Sequence, residues 1–91
     1  MNVVWRASAN ADLVRIIRHV AEENPIAARQ LARELLLAGD SLTLFPYRGR
    51  SGRVEGTREL VVMRPYIIVY EVDDAAVTVL RVWHGAQSRD D

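Results

Sequence analysis

Three stretches, Gly56-Thr57-Arg58-Glu59-Leu60, Tyr66-Ile67-Ile68-Val69-Tyr70 and Leu80-Arg81-Val82-Trp83-His84-Gly85, decide the fold of this chain. The first runs on into the β-branched Val61-Val62, the other two are dense in β-branched and aromatic residues, and turn signals at Arg64-Pro65 and Asp73-Asp74 separate them, so they read as a meander of three strands. The first continues through Val61-Val62-Met63, the second covers 66–72 and the third 77–83. Each strand also places a charged or ring-polar residue among branched aliphatics, where burial without a partner costs roughly 2–7 kcal/mol. Such residues are either paired within the sheet or presented to another molecule. Strict alternation would set Arg81 on one face with Val77, Val79 and Trp83, and His84 on the other with Thr78, Leu80 and Val82.

Upstream of the meander the pattern changes period. Val3-Val4-Trp5 is a short β-prone segment, and Ser8 follows as the expected N-cap of a helix whose Leu13, Ile16, Ile17 and Val20 recur at helical spacing. Asn24-Pro25 then pairs an N-cap with proline at the first helical position, where a missing N–H is no loss. In this second helix Ala28, Leu31, Ala32, Leu35, Ala38 and Leu42 form the apolar stripe, with Gly39 expected to weaken its last turns. So short a connection between the helices predicts an antiparallel hairpin. Residues 46–56 interleave Gly49, Gly52 and Gly56 with Arg48, Arg50 and Arg53 and read as a basic, mobile loop. The order is β-α-α-β-β-β, an α+β fold in which a helical hairpin packs on a small, mostly antiparallel sheet of three or four strands.

A chain of 91 residues suits one domain, 1–91, because a chain this short does not sustain two cores. Hydrophobic residues make up 49% and charged residues 26%, which excludes a disordered chain. Without cysteine, disulfide frameworks and thiolate metal sites are excluded, and the expected location is the cytoplasm. No stretch reads as a signal peptide or a membrane span. A formal net charge of zero argues against a protein devoted to nucleic-acid backbone. Every basic residue is arginine and none is lysine, so the surface is rich in planar forks suited to carboxylates and phosphates.

The ordered set of Asp12-Leu13, Asn24-Pro25, Leu44-Phe45-Pro46, Gly49-Arg50 and the three strand stretches resembles the RelE/ParE superfamily of type II toxins over nearly the whole chain. That resemblance implies a toxin neutralised by a cognate antitoxin protein, and a toxin–antitoxin hetero-oligomer is compatible with it. One branch of the superfamily cuts mRNA on the ribosome; the other poisons DNA gyrase. The ribonuclease branch carries cations at places that fall here on Arg58, Leu60, Ile67 and Gln87, so three of the four are missing. In-line RNA cleavage needs groups to activate the 2′-hydroxyl, neutralise the phosphorane and protonate the leaving oxygen. The expectation is therefore a ParE-like inhibitor of DNA gyrase without catalysis of its own. The alternatives are a RelE-like mRNA endonuclease and a non-toxic remnant that retains only antitoxin binding.

For each polar residue of the meander a structural reading stands beside a functional one. Arg58 forms a salt bridge with a carboxylate elsewhere or meets antitoxin or target; Glu59 lies on the opposite face. Arg81 is either a paired arginine that organises the sheet or a contact residue. His84 is the one strand side chain suited to proton transfer near neutrality, and is otherwise a packed residue. In the ribonuclease alternative Arg58, Arg81 and His84 are the catalytic candidates. Residues 48, 50 and 53 form either a solvated loop or a cationic docking surface. Together Arg48, Arg50, Arg53, Arg58, Glu59, Arg81, His84 and Gln87 are the candidates for binding target or antitoxin. Tyr66, Tyr70 and Trp83 are expected in the core or at a sheet edge. The two histidines, His19 and His84, have no carboxylates at ligand spacing, so no metal site is expected, and no cofactor motif is present.

Overall fold

The computed structural model describes residues 1–85. Strand β1 (Asn2–Trp5) leads into α1 (Ala7–Glu23) and α2 (Pro25–Ser41), followed by β2 (Arg50–Ser51), β3 (Arg58–Val62), β4 (Tyr66–Val72) and β5 (Ala76–His84). The sheet has five strands in the order β1-β5-β4-β3-β2. Its hairpin neighbours are antiparallel, while β1 pairs with β5 in parallel, from Asn2↔Ala76 to Trp5↔Val79. The expected α+β arrangement holds, with one more strand than the sequence suggested.

Asn24 ends the first helix and caps the second: its side chain accepts from the Ala27 N–H at 3.0 Å, and Pro25 takes the first position. The cap of α1 differs from expectation. Arg6 occupies it without a side-chain hydrogen bond, and Ser8 lies inside the helix, where its hydroxyl donates to the Leu80 carbonyl at 2.8 Å. Strand order explains the displacement, since Ser8 is taken up by the sheet edge rather than by its own helix.

Both helices cover one face of the sheet. Ile16, Leu31, Leu35 and Leu42 pack against Leu60, Val62, Ile68, Tyr70, Val77, Val79 and Val82. Ala32 and Ala38, expected in the stripe of α2, are half-buried, and Gly39 is buried instead. Its role is close approach rather than weakness: a Cβ on Gly39 would stand 2.6 Å from Cζ2 of Trp5, so the indole of β1 lies where a side chain would be.

Alternation along β5 is broken by a bulge. Tyr70 opposes Val79 while Val69 opposes Arg81, leaving Leu80 as an extra residue. Val77 and Val79 before the bulge and Val82 after it are therefore all buried in the core. The uninterrupted pattern placed Val82 and His84 opposite Val77 and Val79; the bulge brings them to the same, helix-covered side.

Residues 46–56 are not a free loop. Arg50 and Ser51 pair with Glu59 and Arg58 as β2, and the Gly49 N–H donates to the buried Tyr70 hydroxyl at 2.9 Å. Glycine is required there, because a Cβ would sit 2.7 Å from that hydroxyl and 3.0 Å from the Glu59 carbonyl oxygen.

Candidate functional site

Helix α1 runs beside the part of β5 that β1 does not reach. Ser8 takes the Leu80 carbonyl, and one turn on Asp12 accepts the Val82 N–H at 3.0 Å. Side chains thus satisfy a strand edge that would otherwise be open. Asp12 is 2% exposed, and it also accepts from Arg81, Nε at 2.7 Å and Nη2 at 3.0 Å, and from Arg15 Nη1 at 3.2 Å. Burial alone would raise the Asp12 pKa, but the bonds from Arg81, the Val82 amide and Arg15 outweigh it and hold the carboxyl below its usual range. Arg81, a candidate contact residue, is thus paired within the fold, with its side chain still 47% exposed. Asp12 carries this arrangement and sequence reasoning did not find it; the available signal was a carboxylate one turn from Ala9 and Ile16 on the apolar face of α1.

Glu59 is the second buried carboxylate, 5% exposed. It accepts from Arg50 Nη2 at 3.3 Å and from the Arg53 backbone N–H at 3.0 Å. Arg58 has no need of a carboxylate: its Nη1 donates to the carbonyls of Gly49 at 2.7 Å and Tyr47 at 3.2 Å, and its guanidinium stacks 4.9 Å from the Tyr47 ring centroid. Arg48 donates to the Ser41 hydroxyl at 2.7 Å. The basic segment is therefore fastened from below by Glu59, Arg58 and Tyr70, and it presents the exposed side chains of Arg48, Arg50 and Arg53 outward.

His84 closes β5 opposite Tyr66, with ring centroids 5.4 Å apart and planes at 87°. The structure does not bring Arg58, Arg81 and His84 into one cluster of mutual contacts: Arg58 serves the β2 segment, Arg81 binds α1, and His84 stacks on Tyr66. Of the positions where the ribonuclease branch has cations, Leu60 and Ile67 are buried aliphatics, and Gln87 lies outside the described residues. His84 instead shares a cleft of about 400 Å³ with Tyr66, Arg15, Ile16 and His19. No group of three or more metal-ligating side chains occurs among the described residues, and no helix there is long and apolar enough to cross a membrane.

The family model described as the ParE toxin of type II toxin–antitoxin systems, parDE, matches residues 3–89. The chain is 42% identical over 85 residues to toxin RelE2 of Caulobacter vibrioides, covering 93% of this chain and 96% of the relative. It is 39% identical over 90 residues to toxin RelE1 of the same organism, covering 96% of each. Among solved structures, one titled as the chromosomal ParDE toxin–antitoxin system from P. aeruginosa superposes with a TM-score of 0.82 at 25% identity, covering 92% of this chain and 95% of that one. An N-terminal strand paired to the last one, a helical hairpin over one face of the sheet and a match spanning nearly every residue lead to one conclusion: the chain belongs to the ParE toxin family of type II toxin–antitoxin systems.

Proposed function

We propose that this toxin acts as a gyrase-directed inhibitor without catalysis of its own, held inactive in the cytoplasm by a cognate antitoxin. The observation that carries the reading is the burial of Leu60 and Ile67, at 8% and 6% exposure, at two places where the ribonuclease branch presents cations. A buried aliphatic neither neutralises a phosphorane nor moves a proton, so the acid–base and electrostatic help that RNA cleavage requires has no source there. The separate engagements of Arg58, Arg81 and His84 support the same reading.

The antitoxin finds a seat where β3 outruns β2. Strand β2 meets only Arg58 and Glu59, so among the described residues no strand lies beside residues 60–62 on that side. A groove of about 320 Å³ between that edge and α2 is lined by Glu34, Leu37, Arg48, Val61 and Met63. Leu37 is 52% exposed and Met63 44%. An extended antitoxin segment there would gain main-chain pairing, apolar anchors and a carboxylate contact to Arg48.

Purified toxin tests the target. Inhibited supercoiling with accumulation of cleaved DNA and intact ribosome-bound mRNA is the expected result. Intact supercoiling with cut mRNA would replace this reading with the endonuclease one.

A further inference from the structure

Leu44, Phe45 and Tyr47 hold three large apolar side chains at 78%, 62% and 63% exposure within four consecutive residues, and Pro46 between them is half-buried. Single exposed apolar residues are ordinary, but a contiguous run of them marks an interaction surface. The backbone beneath this run is held. The N–H groups of Leu44 and Phe45 donate to the Ser41 carbonyl at 3.2 and 3.0 Å, and that of Arg48 donates to the Phe45 carbonyl at 3.2 Å. The side chains therefore stand out from an ordered turn at the end of α2, and a partner that meets them pays little to order them.

Two guanidiniums adjoin the run, and neither meets a carboxylate among the described residues. Arg58 stacks on the Tyr47 ring and spends Nη1 on the carbonyls of Gly49 and Tyr47, while Arg48 donates to the Ser41 hydroxyl. All these acceptors are uncharged, whereas Arg6, Arg15, Arg50 and Arg81 each reach a carboxylate. Arg48 and Arg58 are thus positioned by neutral groups and keep their charge for something outside the fold. Tyrosine and arginine beside exposed apolar area are the composition of interface hot spots. An acidic protein segment complements this corner better than a nucleic-acid strand does. Two cations in a chain of zero formal net charge offer little counterion release, and the aliphatic Leu44 gives a base nothing to stack on.

We propose that this corner docks an acidic segment of the toxin's target protein, with an aliphatic side chain of that segment set against Leu44, Phe45 and Tyr47 and its carboxylates on Arg48 and Arg58. Leu44, Phe45, Tyr47 and Arg58 do not line the groove given to the antitoxin, so the two partners use different surfaces that share Arg48. Assignment of the segment to the target rests on the proposed function; its acidic, apolar-anchored chemistry rests on the corner itself.

Two measurements on the full chain test it. In supercoiling assays with purified gyrase, Phe45→Ser should weaken inhibition by about tenfold or more while changing affinity for the cognate antitoxin by less than about twofold. Ile26→Ser, 75% exposed at the start of α2, should alter neither. In an NMR titration, a short glutamate-rich peptide carrying one leucine should move the ring signals of Phe45 and Tyr47. The same peptide with lysine for glutamate, or with serine for leucine, should bind about fivefold more weakly or worse. Immobile ring signals would overturn the proposal, as would a lysine peptide that matches the glutamate one, a single-stranded oligonucleotide that moves the rings at lower concentration than the peptide, or Ile26→Ser acting as strongly as Phe45→Ser. Loss of antitoxin affinity equal to the loss of gyrase inhibition would overturn it too and give the corner to the antitoxin. Supercoiling untouched by the wild-type toxin would remove gyrase as the target, and the peptide titration, which needs no gyrase, would then decide the corner's chemistry.

Discussion

Arg81 and Asp12 are joined by two hydrogen bonds, 2.7 and 3.0 Å long, across 69 positions of sequence. The carboxylate also takes the Val82 amide, so a single side chain of α1 fixes both the guanidinium and the backbone of β5. Asp12→Asn keeps the shape but turns a donor toward donors, and should lower stability by about 2–4 kcal/mol. Arg81→Met leaves the carboxylate its Val82 and Arg15 bonds and should cost less, about 1–3 kcal/mol. Urea unfolding of the two variants checks the order.

The same carboxylate gives the protein an acid limb. Because its native pKa lies below the ordinary value, its contribution is complete above about pH 4 and is lost as pH falls through the lowered native value. The stability gap between the wild type and Asp12→Asn should therefore narrow steadily with acidification below that point. A gap that stays constant down to the acid transition would contradict this.

Tyr70→Phe removes the acceptor of the buried Gly49 amide. About 1–3 kcal/mol should be lost, and hydrogen exchange should quicken at residues 49–51 more than in the helices. Gly49→Ala should disturb the same segment by steric means.

Gly39→Ala forces the new methyl into the Trp5 ring. Overpacking of this kind should destabilise by about 1–3 kcal/mol and shift the Trp5 fluorescence, even though alanine is the better helix former.

For the gyrase-directed reading, His84→Gln should leave most of the growth arrest intact, whereas truncation after Gly85 should weaken it strongly. In a ribonuclease, loss of an acid or base would lower the rate by roughly 10²–10⁴ fold, so His84→Gln or Arg58→Ala would abolish arrest while antitoxin still bound. Induced growth curves beside antitoxin co-purification separate the two patterns.

Local signals were legible in the sequence where local physics sets the structure. Asn24-Pro25 fixes the helix junction by capping chemistry, and the Arg64-Pro65 and Asp73-Asp74 turns fix the meander. What stayed hidden depends on pairing between distant residues. Strand β2 is two residues long between glycines, too short for any period to register. The bulge at Leu80 leaves no mark, because Val79-Leu80-Arg81-Val82 is nearly apolar whichever way it is counted. Nothing near Arg81 announces that its partner is Asp12, and His19 lines the same cleft as His84 only because α1 lies along β5.

Parallel pairing of β1 with β5 joins the two strands of the sheet that lie farthest apart in sequence. Until β5 has been synthesised, β1 has no neighbour, Asp12 has no arginine from the sheet, and the ends joined by the Ser8 and Asp12 contacts stand 72 and 70 residues apart. Long-range closure of this kind slows folding relative to local contacts. On the ribosome it means that the sheet cannot close before β5 has emerged, and that a chain released earlier lacks the strand on which β1 and α1 both rest. Closure of the sheet and formation of the Asp12 network thereby become one event, which waits on β5.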